Sequence, residues 1–260
     1  MLKASENYVK KLVEEEMRTD ARKFDQYRPI SIETNVIKNA EGSARVIIGN
    51  THVLVGVKMA VGEPFPDTPD EGVLIVNTEL VPVASPTFEP GPPNENAVEI
   101  ARVIDRGIRE SQCIDLESLC IEPGKEVWMI NVDVHVLDDD GNLIDAGALG
   151  AIAALLKTRI PRYENKKVIY GEYERELPMK DIPIAVTTSK ISKKLLIDLN
   201  IEEENALDAR ITIATNKNGE ICAVQKGGKG YFTIEEIERA TDLSISKGKE
   251  LRKILSELNV

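Results

Sequence analysis

Trp128, Ile130, Val132, Val134 and Val136 alternate with Met129, Asn131, Asp133 and His135. Successive side chains of a strand point to opposite faces, so this run calls for a long strand with one firmly apolar face. Such a face must be covered, and the flanking sequence offers both strands and helices for the purpose. Ala44 to Ile48, a Gly49-Asn50 turn and Thr51 to Val61 predict a β-hairpin rich in Val and Ile. Val73 to Val81 adds a strand between two Pro-rich loops, Gly62 to Gly72 and Pro86 to Pro93. A helix is expected from Asn94 to about Ser111: Asn94 is a good N-cap, and Glu95 and Glu99 suit the positive end of the helix dipole. Asp138 to Gly141 reads as a turn. After it, a helix of small residues from about Ala146 to Lys157 can pack closely on a sheet.

The logic repeats downstream. Ile182 to Thr188 and Leu195 to Leu199 predict strands, and Arg210 to Thr215 and Glu220 to Gln225 flank a turn at Asn216-Lys217-Asn218-Gly219. A long helix follows from Thr233 to Leu258, opened by Thr233 and Glu236 at capping-box spacing. The segment Glu6 to Met17 has a weak helical period that Ser5 could cap. Ala44-Arg45-Val46-Ile47-Ile48 and Ala209-Arg210-Ile211-Thr212-Ile213 are loosely alike. The expectation is an α+β chain of two related subdomains, each a mixed sheet backed by helices: 1–160 with its N-terminal helix, and 182–260. The polar, poorly periodic stretch 161–181 would connect them.

Composition narrows the function. With 42% hydrophobic and 30% charged residues, the 260-residue chain can bury a sizeable interior. Its 44 acids against 33 bases leave a charge of −11, which repels polyphosphate at long range and argues against a whole-surface nucleic-acid or membrane binder. A local basic patch remains compatible. No apolar run approaches the roughly 20 residues of a membrane-spanning helix, and Met1 to Met17 is too charged for a signal peptide. Cys113, Cys120 and Cys222 form an odd, scattered set that fits a reducing cytoplasm, and with only His52 and His135 no metal centre or other cofactor site is expected.

The central helix carries the first candidate site. Ala97, Ile100, Ala101, Ile104 and Ile108 form its apolar face, and Arg102, Arg106 and Arg109 fall opposite. One reading is a solvated stripe, with Glu99 pairing to Arg102 and Asp105 to Arg109. The other is an anion site, because Arg102 and Arg106 are like charges one turn apart, and guanidinium groups so spaced can hold successive phosphates of a strand. Elsewhere the bland readings prevail. Gly227-Gly228-Lys229-Gly230 lacks the spacing of a nucleotide loop and reads as a turn; Asp138-Asp139-Asp140 reads as a turn too. Cys113 has no base beside it, His135 fits a partly buried imidazole, and Asp133 fits a structural or interface role.

Arg18-Thr19-Asp20-Ala21-Arg22 followed by Tyr27-Arg28-Pro29 resembles the N-terminal signature of RNase PH-like proteins. Gly42-Ser43-Ala44 with Gly49-Asn50-Thr51, the stretch Phe88 to Ala97, Asp105-Arg106, Ile121 to Lys125 and Gln225 to Gly230 extend the resemblance over nearly the whole chain. Its closest form is the non-catalytic RNase PH-like subunit of the archaeal exosome. The resemblance implies an RNase PH-like fold and membership of a phosphorolytic 3′→5′ RNA-degrading ring. Orthophosphate there attacks the terminal phosphodiester and releases a nucleoside diphosphate.

Catalytic members carry an Arg-Arg pair ahead of the central helix, where this chain has Glu95 and Asn96. They carry a Gly-Gly-Thr/Ser-Arg type loop at the small-residue helix, where this chain reads Gly141-Asn142-Leu143-Ile144-Asp145, with Asp145 expected at the helix N-terminus. They also place two aspartates near the start of the second half; Asp181 resembles the second, but the position six residues earlier is Arg175. The resemblance therefore implies no catalytic residues. It assigns RNA contact at the 3′ end to Arg102 and Arg106, with Arg109 a weaker companion. Implied partners are a catalytic RNase PH-like subunit in a hetero-hexameric ring (a trimer of heterodimers), RNA-binding cap subunits and single-stranded RNA. The rival reading is a self-sufficient phosphorolytic exoribonuclease that trims tRNA ends.

Overall fold

A computed structural model describes residues 6–257, so the Ser5 cap and the helix end at Leu258 lie outside the described residues. The described residues begin with α1 (Glu6–Glu14), followed by β1 (Ile30–Thr34), β2 (Gly42–Ile48), β3 (Thr51–Gly62) and β4 (Val73–Leu80). Next come α2 (Glu95–Glu110), β5 (Cys120–Glu122), β6 (Glu126–Asp138) and α3 (Leu143–Leu155). The strands β7 (Arg159–Glu164) and β8 (Lys167–Glu176) lead to β9 (Ile184–Ile191), β10 (Lys194–Ile197) and α4 (Ile201–Glu204). The last described elements are β11 (Ala209–Thr215), β12 (Ile221–Gly227) and α5 (Ile234–Glu257).

The alternating run becomes β6, which pairs antiparallel with β3 and parallel with β4 at the heart of a sheet ordered β1-β2-β3-β6-β4, with β5 on its flank. Val127, Trp128, Ile130, Val132, Val134 and Val136 are buried, and the intervening residues are half-buried. The parallel pair exists because α2 crosses over between β4 and β6, as parallel neighbours require. The second sheet, β10-β9-β11-β12, is wholly antiparallel, which corrects the expectation of a mixed sheet in the second half. Its strands are joined by short turns and by the single-turn α4, so nothing there is long enough for a crossover.

The helix α3 is buried on nearly every side. It packs on β2 and β3 of the first sheet and on β9 of the second, and only its small side chains let both sheets approach. Beside it α2 touches β4, α3 and the edge strand β12, while α5 covers the far side of the second sheet against β9 and β11. The stretch 161–181, expected to be irregular, instead holds most of the β7–β8 hairpin, whose exposed Glu, Lys and Arg side chains hide its strand pattern.

An ionic network fixes the N-terminal signature onto the second half. Arg18 grips Glu203 with two hydrogen bonds, both side chains being fully buried. Asp198 accepts from Arg22 at 2.9 Å, from the Arg28 backbone N–H at 2.7 Å and from the Arg28 guanidinium at 2.8 and 3.0 Å. The same Arg28 reaches the Asp140 carbonyl at 2.6 Å, so the signature, the β6–α3 turn and the β10–α4 segment are locked at one point.

Candidate nucleic-acid interface

The interface begins with the way α2 is held. The Asn94 side chain accepts from the Ala97 N–H at 2.9 Å, capping the helix as the sequence predicts. Ala97, Ile100, Val103, Ile104, Gly107 and Ile108 are buried, and this face turns Arg102, Arg106 and Arg109 to the surface. Arg102 and Arg106 border one open cleft of about 740 Å3 together with Pro93, Val98 and Gln225. Arg106 donates to Gln225 Oε1 at 3.2 Å, so the edge strand of the second sheet contributes to the cleft of the first-half helix. Arg102 has no hydrogen-bond or ion-pair partner among the described residues. The expected Glu99–Arg102 pair does not form; Glu99 Oε2 lies 2.7 Å from the Arg210 guanidinium instead. Arg109 is tied to Asp105 at 2.8 and 3.1 Å, the pair the spacing predicts. It also donates to the Leu74 carbonyl at 3.0 Å and borders a different cleft, beside Thr68 and Asp115.

The position assigned by resemblance to the attacking phosphate is the start of α3. Gly141 has φ +81°, and a Cβ there would lie 2.6 Å from the Leu199 carbonyl oxygen and 2.8 Å from the Asn200 carbonyl carbon. The backbone leading into α4 therefore sits directly on this turn, in a place only glycine permits. The Asn142 N–H donates to Glu204 Oε1 at 2.7 Å. The Asn142 side-chain amide donates to Asp198 at 2.8 Å and to Asp145 at 3.3 Å. Asp145 does occupy the first turn of α3, but its carboxylate accepts from the Tyr27 hydroxyl at 2.6 Å and the Thr187 N–H at 3.2 Å instead of capping the helix. Burial pushes the Asp145 carboxyl up to about 6 and the Glu204 carboxyl up to about 7, and it raises Asp139 as well. Asn96, Asp139, Asn142, Glu204 and Arg210 all border the residual cavity of about 220 Å3.

Glu204 and Arg210 were not legible as site residues. Glu204 lies 62 positions from Asn142 and Arg210 lies 111 from Glu99, and nothing local marks either. Asp181 accepts from its neighbour Ile182 N–H at 2.6 Å and from Lys217 N–H at 2.9 Å, while Arg175 donates to the Ser118 carbonyl at 2.6 Å; neither touches the α3 start. The glycine loop is a turn before α5, closed by the Gly230 N–H on the Asp208 carbonyl at 2.8 Å. The acid run is also a turn, in which Asp139 accepts from Gly141 N–H at 3.1 Å. Cys113 is buried, and burial pushes its thiol up to about 11, which suits an inert core residue. His135 Nδ1 meets Glu79 at 3.2 Å, and Asp133 accepts from the Asn77 side chain at 3.3 Å. Among the described residues no three His, Cys, Asp or Glu side chains are grouped to hold a metal ion. No described helix is long and apolar enough to cross a membrane.

Residues 26–161 match domain 1 of the 3′ exoribonuclease family and residues 181–247 match its domain 2. The chain is 55% identical over 251 residues to the exosome complex component Rrp42 of Thermococcus gammatolerans, covering 95% of this chain and 92% of that protein. Among solved structures, it superimposes with a TM-score of 0.89 and 48% identity on a chain of the Archaeoglobus fulgidus exosome with RNA bound to the active site, covering 95% and 96% of the two chains. An archaeal exosome core gives a TM-score of 0.87 and 45% identity, covering 96% of each chain. From residue signature to superimposed fold, the chain belongs to the RNase PH-like 3′ exoribonuclease family.

Proposed function

We propose that this chain is the non-catalytic RNase PH-like subunit of an archaeal exosome, a cytoplasmic ring that degrades RNA from its 3′ end by phosphorolysis. The observation that carries the reading is the Glu204 carboxylate on the Asn142 N–H at the start of α3. Phosphorolysis must hold orthophosphate against a phosphodiester, two anions that need preorganised donors and cations. Here the backbone and side-chain donors of Asn142 are taken by Glu204 and Asp198, Asp145 lies buried in the same turn, and the Arg-Arg pair is replaced by Glu95 and Asn96. A phosphate at this point would meet the ionised Asp198 and the two buried acids Asp145 and Glu204.

The subunit's work is then done at a neighbour's site. Arg102 and Arg106 present exposed guanidiniums to one cleft, where they hold the phosphates of an RNA 3′ end bound by the catalytic subunit. Arg109, neutralised by Asp105, contributes less. The chain needs no metal or cofactor of its own for this role. Its partners are the catalytic RNase PH-like subunit in a ring of three heterodimers, RNA-binding cap subunits and single-stranded RNA. The same reading divides the chain into 1–160 and 182–260 with 161–181 between them. The similarity to proteins named as exosome components supports it.

The test is nucleoside diphosphate release from a 3′-labelled oligonucleotide with phosphate and magnesium. Release is expected from the mixture with the catalytic subunit and not from this chain alone. Release by the chain alone would establish the self-sufficient exoribonuclease. A ring carrying Arg102→Glu and Arg106→Glu that keeps full RNA affinity would leave this subunit only a spacer.

A further inference from the structure

We infer that Arg210 is a positioning residue for the RNA contact: by holding Glu99, it keeps the Arg102 guanidinium free for a phosphate. The inference rests on the RNA-contact reading of Arg102. On an isolated helix, a carboxylate three residues from an arginine lies on the same surface and pairs with it. Arg102 has such an acid on each side, Glu99 at i−3 and Asp105 at i+3. Left to α2 alone, Arg102 would be neutralised.

The fold draws both acids away. Asp105 is held by the Arg109 guanidinium through two hydrogen bonds of 2.8 and 3.1 Å. Glu99 leans across the junction between the halves to Arg210 on β11, at 2.7 Å. The Glu99 and Arg210 side chains are 32% and 27% exposed, so their attraction is less screened than a pair with the exposed Arg102 would be. The backbone is shaped to admit the pair: a Cβ on Gly227 would lie 2.8 Å from Arg210 Nε and 3.2 Å from Glu99 Oε1. Arg210 is thus a decoy cation supplied by the second half. Arg106 leans on the neutral Gln225, so both cleft arginines keep their full charge.

The experiment measures the affinity of the reconstituted ring for single-stranded RNA, with phosphate omitted, across a set of variants. Arg210→Ala releases Glu99 to Arg102 and is expected to weaken RNA binding roughly threefold to fivefold, the upper range of an exposed ion pair that the RNA must displace. Adding Glu99→Gln removes the competing carboxylate and restores affinity to within about twofold, whereas lost packing would not be rescued. Arg210→Lys, which can still hold Glu99, stays close to the parent. In an Arg102→Ala ring, the further Arg210→Ala change is silent, because there is no guanidinium left to free. An Arg210→Ala loss that persists in the Arg102→Ala ring, or that Glu99→Gln does not rescue, overturns the inference. So does an Arg210→Ala ring that binds as tightly as the parent while Arg102→Ala binds weakly. If Arg102→Ala itself leaves affinity unchanged, the contact reading falls and takes this inference with it.

Discussion

Asp145 and Glu204 sit where burial favours the neutral carboxyl, near 6 and 7 against ordinary values of 3.8 and 4.5. Between those limits the folded chain binds more protons than the unfolded one, so stability falls as pH rises through the window and stays low above it. Glu204→Gln removes much of that slope while keeping an acceptor for the Asn142 N–H. The melting temperature should vary less between pH 5 and 8 (an interval of about 3 units), with a gain on the order of 2 kcal/mol at the alkaline end. A melting curve series as steep as the parent's would contradict it. Asp198 behaves in the opposite sense. Burial alone would raise its carboxyl, but the hydrogen bonds and charge of Arg28 hold it below the ordinary value. Its contribution is present at neutral pH and is lost on the acid side, as pH drops through the depressed folded value. For the cleft, replacing Arg102 and Arg106 together by Ala should lower the salt dependence of RNA binding by about 1.4 in log–log slope, two single-strand phosphate contacts. An unaltered slope would mean that neither arginine neutralises a phosphate.

Elements whose pattern is local could be read from the sequence: β6 from its alternation, α2 from its cap and apolar face, and the β2–β3 hairpin from Gly49-Asn50. The β7–β8 hairpin could not, because its β8 strand is almost entirely solvent-facing and lacks an apolar side. The single-turn α4 was missed as well, although Asn200 and Glu203 form a capping box, since one turn leaves no period to detect. In the candidate site the arginine stripe was legible and its wiring was not. Glu99 has a plausible local partner in Arg102, and only the packing of β11 against α2 decides for Arg210. The β10–α4 segment also ties the junction, where Glu203 and Asp198 gather Arg18, Arg22 and Arg28. Arg18→Ala would leave the Glu203 carboxylate buried and unpaired, and a loss of about 3–5 kcal/mol is expected in chemical denaturation. A loss below 1 kcal/mol would show that water reaches the pair (about the size of an exposed ion pair).

For the molecule as a whole, a net charge of −11 is compatible with the proposed RNA contact because Arg102 and Arg106 share one cleft in which Glu99 and Asp105 are engaged by Arg210 and Arg109. The two halves are interdependent at two places: at the cleft, where α2 supplies the arginines and β11 and β12 supply Arg210 and Gln225, and at the α3 start, where α4 supplies the Glu204 carboxyl. The proposed loss of phosphorolysis rests on the α3 start, where Glu204 takes the Asn142 N–H. Titration of orthophosphate into the purified chain, followed by phosphorus NMR, tests that directly. No saturable binding is expected at millimolar phosphate; saturable binding that disappears on substitution of Asn142 would contradict the account.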